Sequence, residues 1–539
     1  MNRRGTDAVL CPRTGFALFS SFLFAAAAAL NRRIVFSGDI RAKLAENFIR
    51  KDFGFPDALF FLLVFAAVFI LLFFLSRLSA QKERDLSGPG EAAPQRRRFA
   101  LLSAFALALC WLPYLLALAP GNLFEDSMDS IGQMLAHGHP VSNHHPMFYT
   151  LTVGVFLKAG QILFHSVNAG VLLFSLIQTA LMIACVAAEL DFLLRRGVPR
   201  AFVILSLAWF ALLPVFPAYA LTMWKDIPYS CALLLLSILL ADLSCGRDFR
   251  GWQAAMFFLL LAAMMTRNNG LYAGLMAGAG AWALCRRHRR GILAAVLAAA
   301  LVFSALSALA VRLWRITEDF AESVGIPLQQ LGYAINDGGV FSEEDKEYLF
   351  RLCPEEVWHY AYRPMLDDSL KWNPRFDVYF LHDTKARFFA VWFRGLVKNP
   401  VRYLRAYLLA TYGFWSPSAA HEWGYMSVKL PENGHGICWM NPLGSENSAK
   451  IRGLIASHMP LIGSGTLFWL LLLGLTLCLV RGRPASAAAP YLPALANQLT
   501  ILIATPAAFS LRYVYILALG LPLFLLYPLT DGGRRGEGL

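Results

Sequence analysis

The chain has 539 residues, 57% of them hydrophobic and only 15% charged, with a mean hydropathy of +0.51. Soluble domains run nearer ~45–50% apolar and ~25% charged, so composition excludes an ordinary soluble protein. The net charge of +13 does not point to nucleic acid, because the Lys and Arg sit mainly in short loops beside apolar runs, where they orient helices.

Apolar runs long enough to span a hydrocarbon core as helix recur along the chain, and the ten-residue alternation of membrane barrels is absent. Spans are predicted near 14–30, 56–76, 99–119, 168–193, 201–222, 227–245, 252–266, 271–286, 291–311, 462–481, 486–506 and 513–529. The first has an Arg-bearing start and an Ala25–Ala29 run that resemble a signal peptide; an uncleaved helix is the preferred reading. Residues 78–98, rich in charge, Gly and Pro, read as a linker. Positive clusters at Arg96–Arg98, Arg195/Arg196/Arg200, Arg247/Arg250, 286–290, Arg481/Arg483 and Arg534/Arg535 set one face as cytoplasmic. The loops at 120–167, 223–226, 267–270, 312–461 and 507–512 then lie outside. The stretch 146–165 is apolar enough to cross, but crossing would put Arg195 and Arg196 outside, so an interfacial or re-entrant helix is expected. The loop 31–55 carries six Lys/Arg on the outer side, against the rule.

Chemistry concentrates in the loop after the third span. From Pro120 to Pro146 it holds three carboxylates and four His, with no Lys or Arg. Asp126, Asp129, Gln133 and His137 share one face of a helix, and Met128, Ile131 and Leu135 the other. That pattern predicts an amphipathic helix on the membrane with its acids toward water; a merely solvated polar face gives the same spacing. Lys225-Asp226 ends the fifth span, and an acid beside an apolar span usually lines a site, although a local Lys–Asp pair would also account for it. Arg267-Asn268-Asn269-Gly270 sits at the same level, where an Arg suits an anion such as a lipid phosphate. Arg512-Tyr513 opens the last span there too.

This set resembles the GT-C superfamily of integral membrane glycosyltransferases: an acidic first outer loop, a histidine-proline helix start, an outer Asp at a span end and a basic-Gly turn. Within it the chain resembles a bacterial multi-pass group. The marks are Pro120-Gly121 with Asp126, Asn143-His144-His145-Pro146, Lys225-Asp226, Arg267 to Gly270, Ile326 to Gln330, and Tyr362, Pro364, Asp367 and Lys371. The resemblance implies an all-α polytopic fold of about 12 transmembrane helices. Its parts would be two N-terminal helices and a linker (1–98), a seven-helix catalytic core (99–311), a mostly helical outer domain (312–461) and C-terminal helices (462–539).

The expected activity is transfer of a sugar from a polyprenyl-phosphate donor to a cell-envelope glycan or lipid at the outer face of a bacterial plasma membrane. Asp126 is the expected general base, with Asp226 orienting the acceptor or a cation and Asp129 assisting. Arg267, Arg512 and Lys225 would meet the lipid phosphate, with Gln133, His144, His145 and Asn268 on the acceptor side. His137, His139, His144 and His145 could hold a divalent metal with the acids, or be ordinary loop histidines; no zincin pattern is present.

A flippase or transporter is the alternative, but neither paired repeats nor broken helices are visible in the sequence. A receptor or assembly protein acting through 312–461 is a third reading. The nine cysteines show no CxxC pairing, against a zinc or thioredoxin-like site. Cys353 and Cys438 are alone in the outer region and either pair or stay as free thiols.

Overall fold

In a computed structural model of the protein, the described residues are 12–86, 90–136, 142–314, 316, 320–421, 428–458, 462–481, 483–504 and 507–530. Helices follow one another as α1 (Pro12–Arg33), α2 (Phe55–Leu86), α3 (Ala93–Leu118), α4 (Glu125–Leu135), α5 (Met147–Phe164), α6 (Val167–Arg195), α7 (Arg200–Leu212), α8 (Val215–Ala220), α9 (Asp226–Ser244), α10 (Trp252–Thr266), α11 (Gly270–Leu284) and α12 (Arg289–Trp314). Among the described residues the only sheet is a two-residue antiparallel ladder, Ile34–Val35 on Phe48–Ile49. The protein is an all-helical membrane protein. Seven described helices (α1, α2, α3, α5, α6, α9 and α12) are long and apolar enough to cross a membrane. Four more (α7, α10, α11 and Ser464–Val480) are apolar but shorter.

Three expected spans are not continuous helices. The run 201–222 breaks after α7, where Pro214 and Pro217 remove backbone donors, and resumes as the short α8. The run 486–506 opens as a 3-10 segment, Ala485–Tyr491, before Leu492–Ile503. The last run is a chain of short pieces between Leu511 and Leu529, interrupted at Gly520 and by Pro522 and Pro528. Broken helices are therefore present, contrary to the reading from sequence. Hydropathy reports how apolar a run is, not whether its hydrogen-bond ladder is unbroken.

α9 measures the distance between two charged ends of the bundle. Asp226 lies in its first turn and Asp242 near its last, about 24 Å apart at 1.5 Å per residue. Asp242 holds Arg195 at 2.8 Å and Arg196 at 2.9 Å, and Arg96 meets Asp191 at 3.2 Å beside them. Arg96, Arg195 and Arg196 thus gather at one end, as the charge pattern predicts. Asp226 belongs to the other.

α5 is long enough to span, but its packing keeps it at the Asp226 end. It folds back on the first turns of α6 through a left-handed His165: Tyr149 and Phe156 meet the Phe174 ring, and Gly160 abuts Gly170. α6 itself runs about 42 Å, well beyond a ~30 Å hydrocarbon core, so its early turns have room to carry such a hairpin.

Within 312–461, residues 321–403 enclose their own core around Leu331, Leu349, Trp358, Phe388 and Tyr403. Residues 428–458 instead return to the bundle: Met440 N–H donates to the Ala119 carbonyl at 2.9 Å, and Arg452 donates to that of Ala117 at 2.9 Å. The loop 31–55 lies at this same end, where Lys51 pairs with Asp337 at 2.8 Å and Arg33 with Asp57. Arg33 and Lys51 are thus each matched locally by an acid. Cys353 is buried in the 321–403 core, whereas Cys438 is exposed and takes a contact from Asn168; both are free thiols, so the disulfide does not form.

Candidate active site

The site is assembled by a short piece of irregular backbone. After α3, Gly121 runs so close to α6 that a Cβ there would overlap the Ser175 hydroxyl. Asn122 then pairs with Thr222: its N–H donates to the Leu221 carbonyl at 2.9 Å, and its carbonyl accepts from Met223 at 3.2 Å. The Asn122 side chain donates to Thr222 Oγ1 at 3.1 Å and accepts the Lys429 N–H at 2.7 Å. Gln178 of α6 donates to the Ala220 and Thr222 carbonyls, which ties the junction to α6. The start of α4 is thereby fixed beside the start of α9.

That junction brings the expected acids and arginines together in two pairs. Asp126, in the first turn of α4, binds Arg512 at 2.7 Å. Asp226, fully buried, binds Arg267, whose side chain is about one-tenth exposed. Tyr513 joins the pairs, lying under both guanidinium groups with its ring centroid 4.7 Å from Arg267 and 5.0 Å from Arg512. The Trp224 ring also lies against Arg512, with its centroid 4.9 Å from the guanidinium carbon. Such rings favour a desolvated guanidinium. The Arg267 turn is tight because Gly270 N–H donates to the Arg267 carbonyl at 2.8 Å, and a Cβ on Gly270 would overlap the Ala263 carbonyl oxygen.

Electrostatics separate the two acids. Burial alone would raise the Asp126 carboxyl, but Arg512 and then Lys225 outweigh it and hold the group well below the usual carboxylate range. Asp226 is stranger: its Oδ1 takes Arg267, and its Oδ2 is buried without a hydrogen-bond partner. A carboxylate oxygen left in that state is expensive and marks a place for a missing donor.

Lys225 does not pair with its neighbour Asp226. Its ammonium lies 2.7 Å from His145 Nδ1, and burial lowers its pKa against the pull of Asp126 and Asp226. His145 Nε2 in turn lies 3.4 Å from Asp129. Burial first, then Lys225, pushes the His145 pKa down to about 2, so this ring is neutral. Gln133 donates to Asp129 at 3.1 Å and braces Ser142, while Asn268 is exposed and reaches only the Asn143 carbonyl at 3.4 Å. Asp129, Gln133 and Asn268 thus lie at the rim rather than at the acid–arginine pairs. The apolar face of α4 packs on α5 through Ile131 and Met134, not on lipid, which corrects the expectation of a helix lying on the membrane. His137 and His139 lie outside the described residues.

Several groups at the site were not singled out from sequence. Asn497, buried in the apolar run Leu492–Ile503, accepts from Tyr229 at 3.0 Å and donates to the Tyr513 carbonyl at 2.9 Å, which positions the shared ring. A lone Asn in an apolar run was the available signal. Glu322, from the 321–403 unit, faces His144 at 3.6 Å and meets Lys371 at 2.9 Å; Lys371 and Asp367, already among the marks of the resemblance, lie together there with Asp368.

The chain belongs to a family of unknown function, DUF6020, whose sequence profile matches residues 136–535. Lys225, Asp226, Arg267 and Arg512 fall inside the match; Asp126 and Asp129 precede it. No curated protein and no solved structure matches the chain.

Proposed function

We propose that the chain is a GT-C-type membrane glycosyltransferase that moves a sugar from a polyprenyl-phosphate donor to a cell-envelope glycan or lipid, at the outer face of a bacterial plasma membrane. The observation that carries this reading is the pair of acid–arginine contacts sharing Tyr513 at one end of the bundle. Transfer needs a base for the acceptor proton and positive charge where the phosphate leaves. Both lie here within one constellation.

Asp126 is a poor base while Arg512 holds it, because its affinity for a proton is suppressed. A lipid phosphate that takes the Arg512 fork releases the carboxylate, so donor binding itself raises the basicity of Asp126. The acceptor oxygen then attacks the anomeric carbon, its proton passes to Asp126, and the sugar–phosphate bond breaks toward Arg512 and Arg267. The free Oδ2 of Asp226 is placed to accept a hydrogen bond from the acceptor. Lys225 adds a third positive charge beside it.

The test is sugar transfer by the purified full chain from polyprenyl-phosphate sugars, together with lipid-linked sugar and wall-polymer analysis of a deletion strain. The broken last helices between Leu511 and Leu529 favour a second reading, a flippase of lipid-linked saccharides. In that case the purified chain forms no glycosidic bond, and the deletion strain accumulates complete lipid-linked saccharide.

A further inference from the structure

We propose that Asp129, His144 and His145 form a site for one first-row divalent metal ion, separate from the two acid–arginine pairs. The site goes beyond the transfer reading and stands whether or not sugar is moved. One ligand atom from each residue lies within 4.8 Å of the other two. His145 Nε2 and Asp129 Oδ2 are 3.4 Å apart, which is about the separation of two ligands on ~2.1 Å bonds at a tetrahedral angle.

The second observation is the state of His145. The residue is 3% exposed, and its Nε2 is buried without a hydrogen-bond partner. A buried imidazole nitrogen facing a carboxylate at slightly more than ordinary hydrogen-bond distance leaves room for an ion between the two. The surroundings suit the role. Gln133 braces the Asp129 carboxylate, Glu322 flanks the His144 ring, and Asp129, half exposed, leaves a way in from water. Two imidazoles and one carboxylate with open positions are a set that first-row divalent ions accept.

The experiment uses the full chain in detergent, stripped with a chelator and titrated with Co²⁺, with bound Zn²⁺ measured separately by elemental analysis. One ion per chain is expected, with a visible cobalt band. Asp129→Asn and His144→Asn should each weaken binding on the order of tenfold or more. Absence of bound metal and of the cobalt band in the wild-type chain would overturn the site, as would unchanged affinity in both ligand variants. Either failure leaves the transfer reading standing, because none of these readouts uses sugar.

Discussion

Asp126 and Arg512 are 386 positions apart in the chain and 2.7 Å apart in the fold. Each carries a charge that would be costly to bury alone, and together they close one side of the candidate site. In the proposed reaction this contact is a resting state, which makes it the first thing to break.

Asp126→Asn should lower sugar transfer on the order of 10²-fold or more, the scale of a lost general base, with expression unchanged. Asp129→Asn, at the rim, should lower it less. Radiolabelled transfer by purified chains measures both, and near-normal turnover by Asp126→Asn would remove the base assignment.

Arg267→Lys keeps the charge beside Asp226 but loses the planar fork, so donor KM should rise more than stability falls. Arg267→Ala leaves a fully buried carboxylate unpaired and should destabilise the chain by about 3–5 kcal/mol. Thermal unfolding in detergent beside donor titration separates the two effects.

Gly270→Ala should displace the Arg267 turn, since the new methyl meets a backbone carbonyl that has no rotamer to escape into. A loss of about 1–3 kcal/mol is expected, together with weaker donor use. A variant that matched the wild type in both would show that the turn adapts.

Asp367 provides a pH test. Burial, with Asp368 and Glu322 adding to it against Lys371, pushes its carboxyl up to about 8. An unfolded Asp titrates near 3.9, so between pH ~4 and ~8 the folded chain holds the extra proton and its stability falls as pH rises. Relative to Asp367→Asn, the wild type should lose up to about 1.4 kcal/mol per pH unit across that window and nothing further above it. A flat difference in unfolding temperature from pH 5 to 8 would contradict the assignment.

Thiol labelling tests the placement of 312–461. A membrane-impermeant reagent on intact cells should reach exposed Cys438 in the native chain, and buried Cys353 only after denaturation. Labelling of neither, under both conditions, would place this region on the cytoplasmic side and the acids with it.

Much of this was legible in the sequence because its signals were local. Apolar runs, arginine clusters and the 3-4-4 spacing of α4 each report on their own neighbourhood, and the acids and arginines they pointed to do meet. What escaped was the partnering. Lys225 reads as the natural mate of Asp226 because they are adjacent, yet successive residues at a helix start point apart, and Lys225 turns to His145 while Asp226 turns to Arg267. Asn497 and Glu322 escaped for a related reason: Tyr229 and His144, which they meet at the site, lie more than a hundred residues away from them. The broken helices at 213–214 and 520–528 escaped because proline and glycine interrupt hydrogen bonding without lowering hydropathy much.

Asn122 accepts the Lys429 amide across 307 positions of chain. During synthesis at ~5–20 residues per second, roughly 15–60 s separate the appearance of these two residues. Throughout that interval the strand after α3 has its neighbour at 222 but lacks its third support, and Asp126 lacks Arg512 for longer still. The site therefore matures only after most of the helices have entered the lipid. A nascent or truncated chain would carry inserted helices and an unassembled site, so membrane insertion and assembly of the site are separate events in the life of this protein.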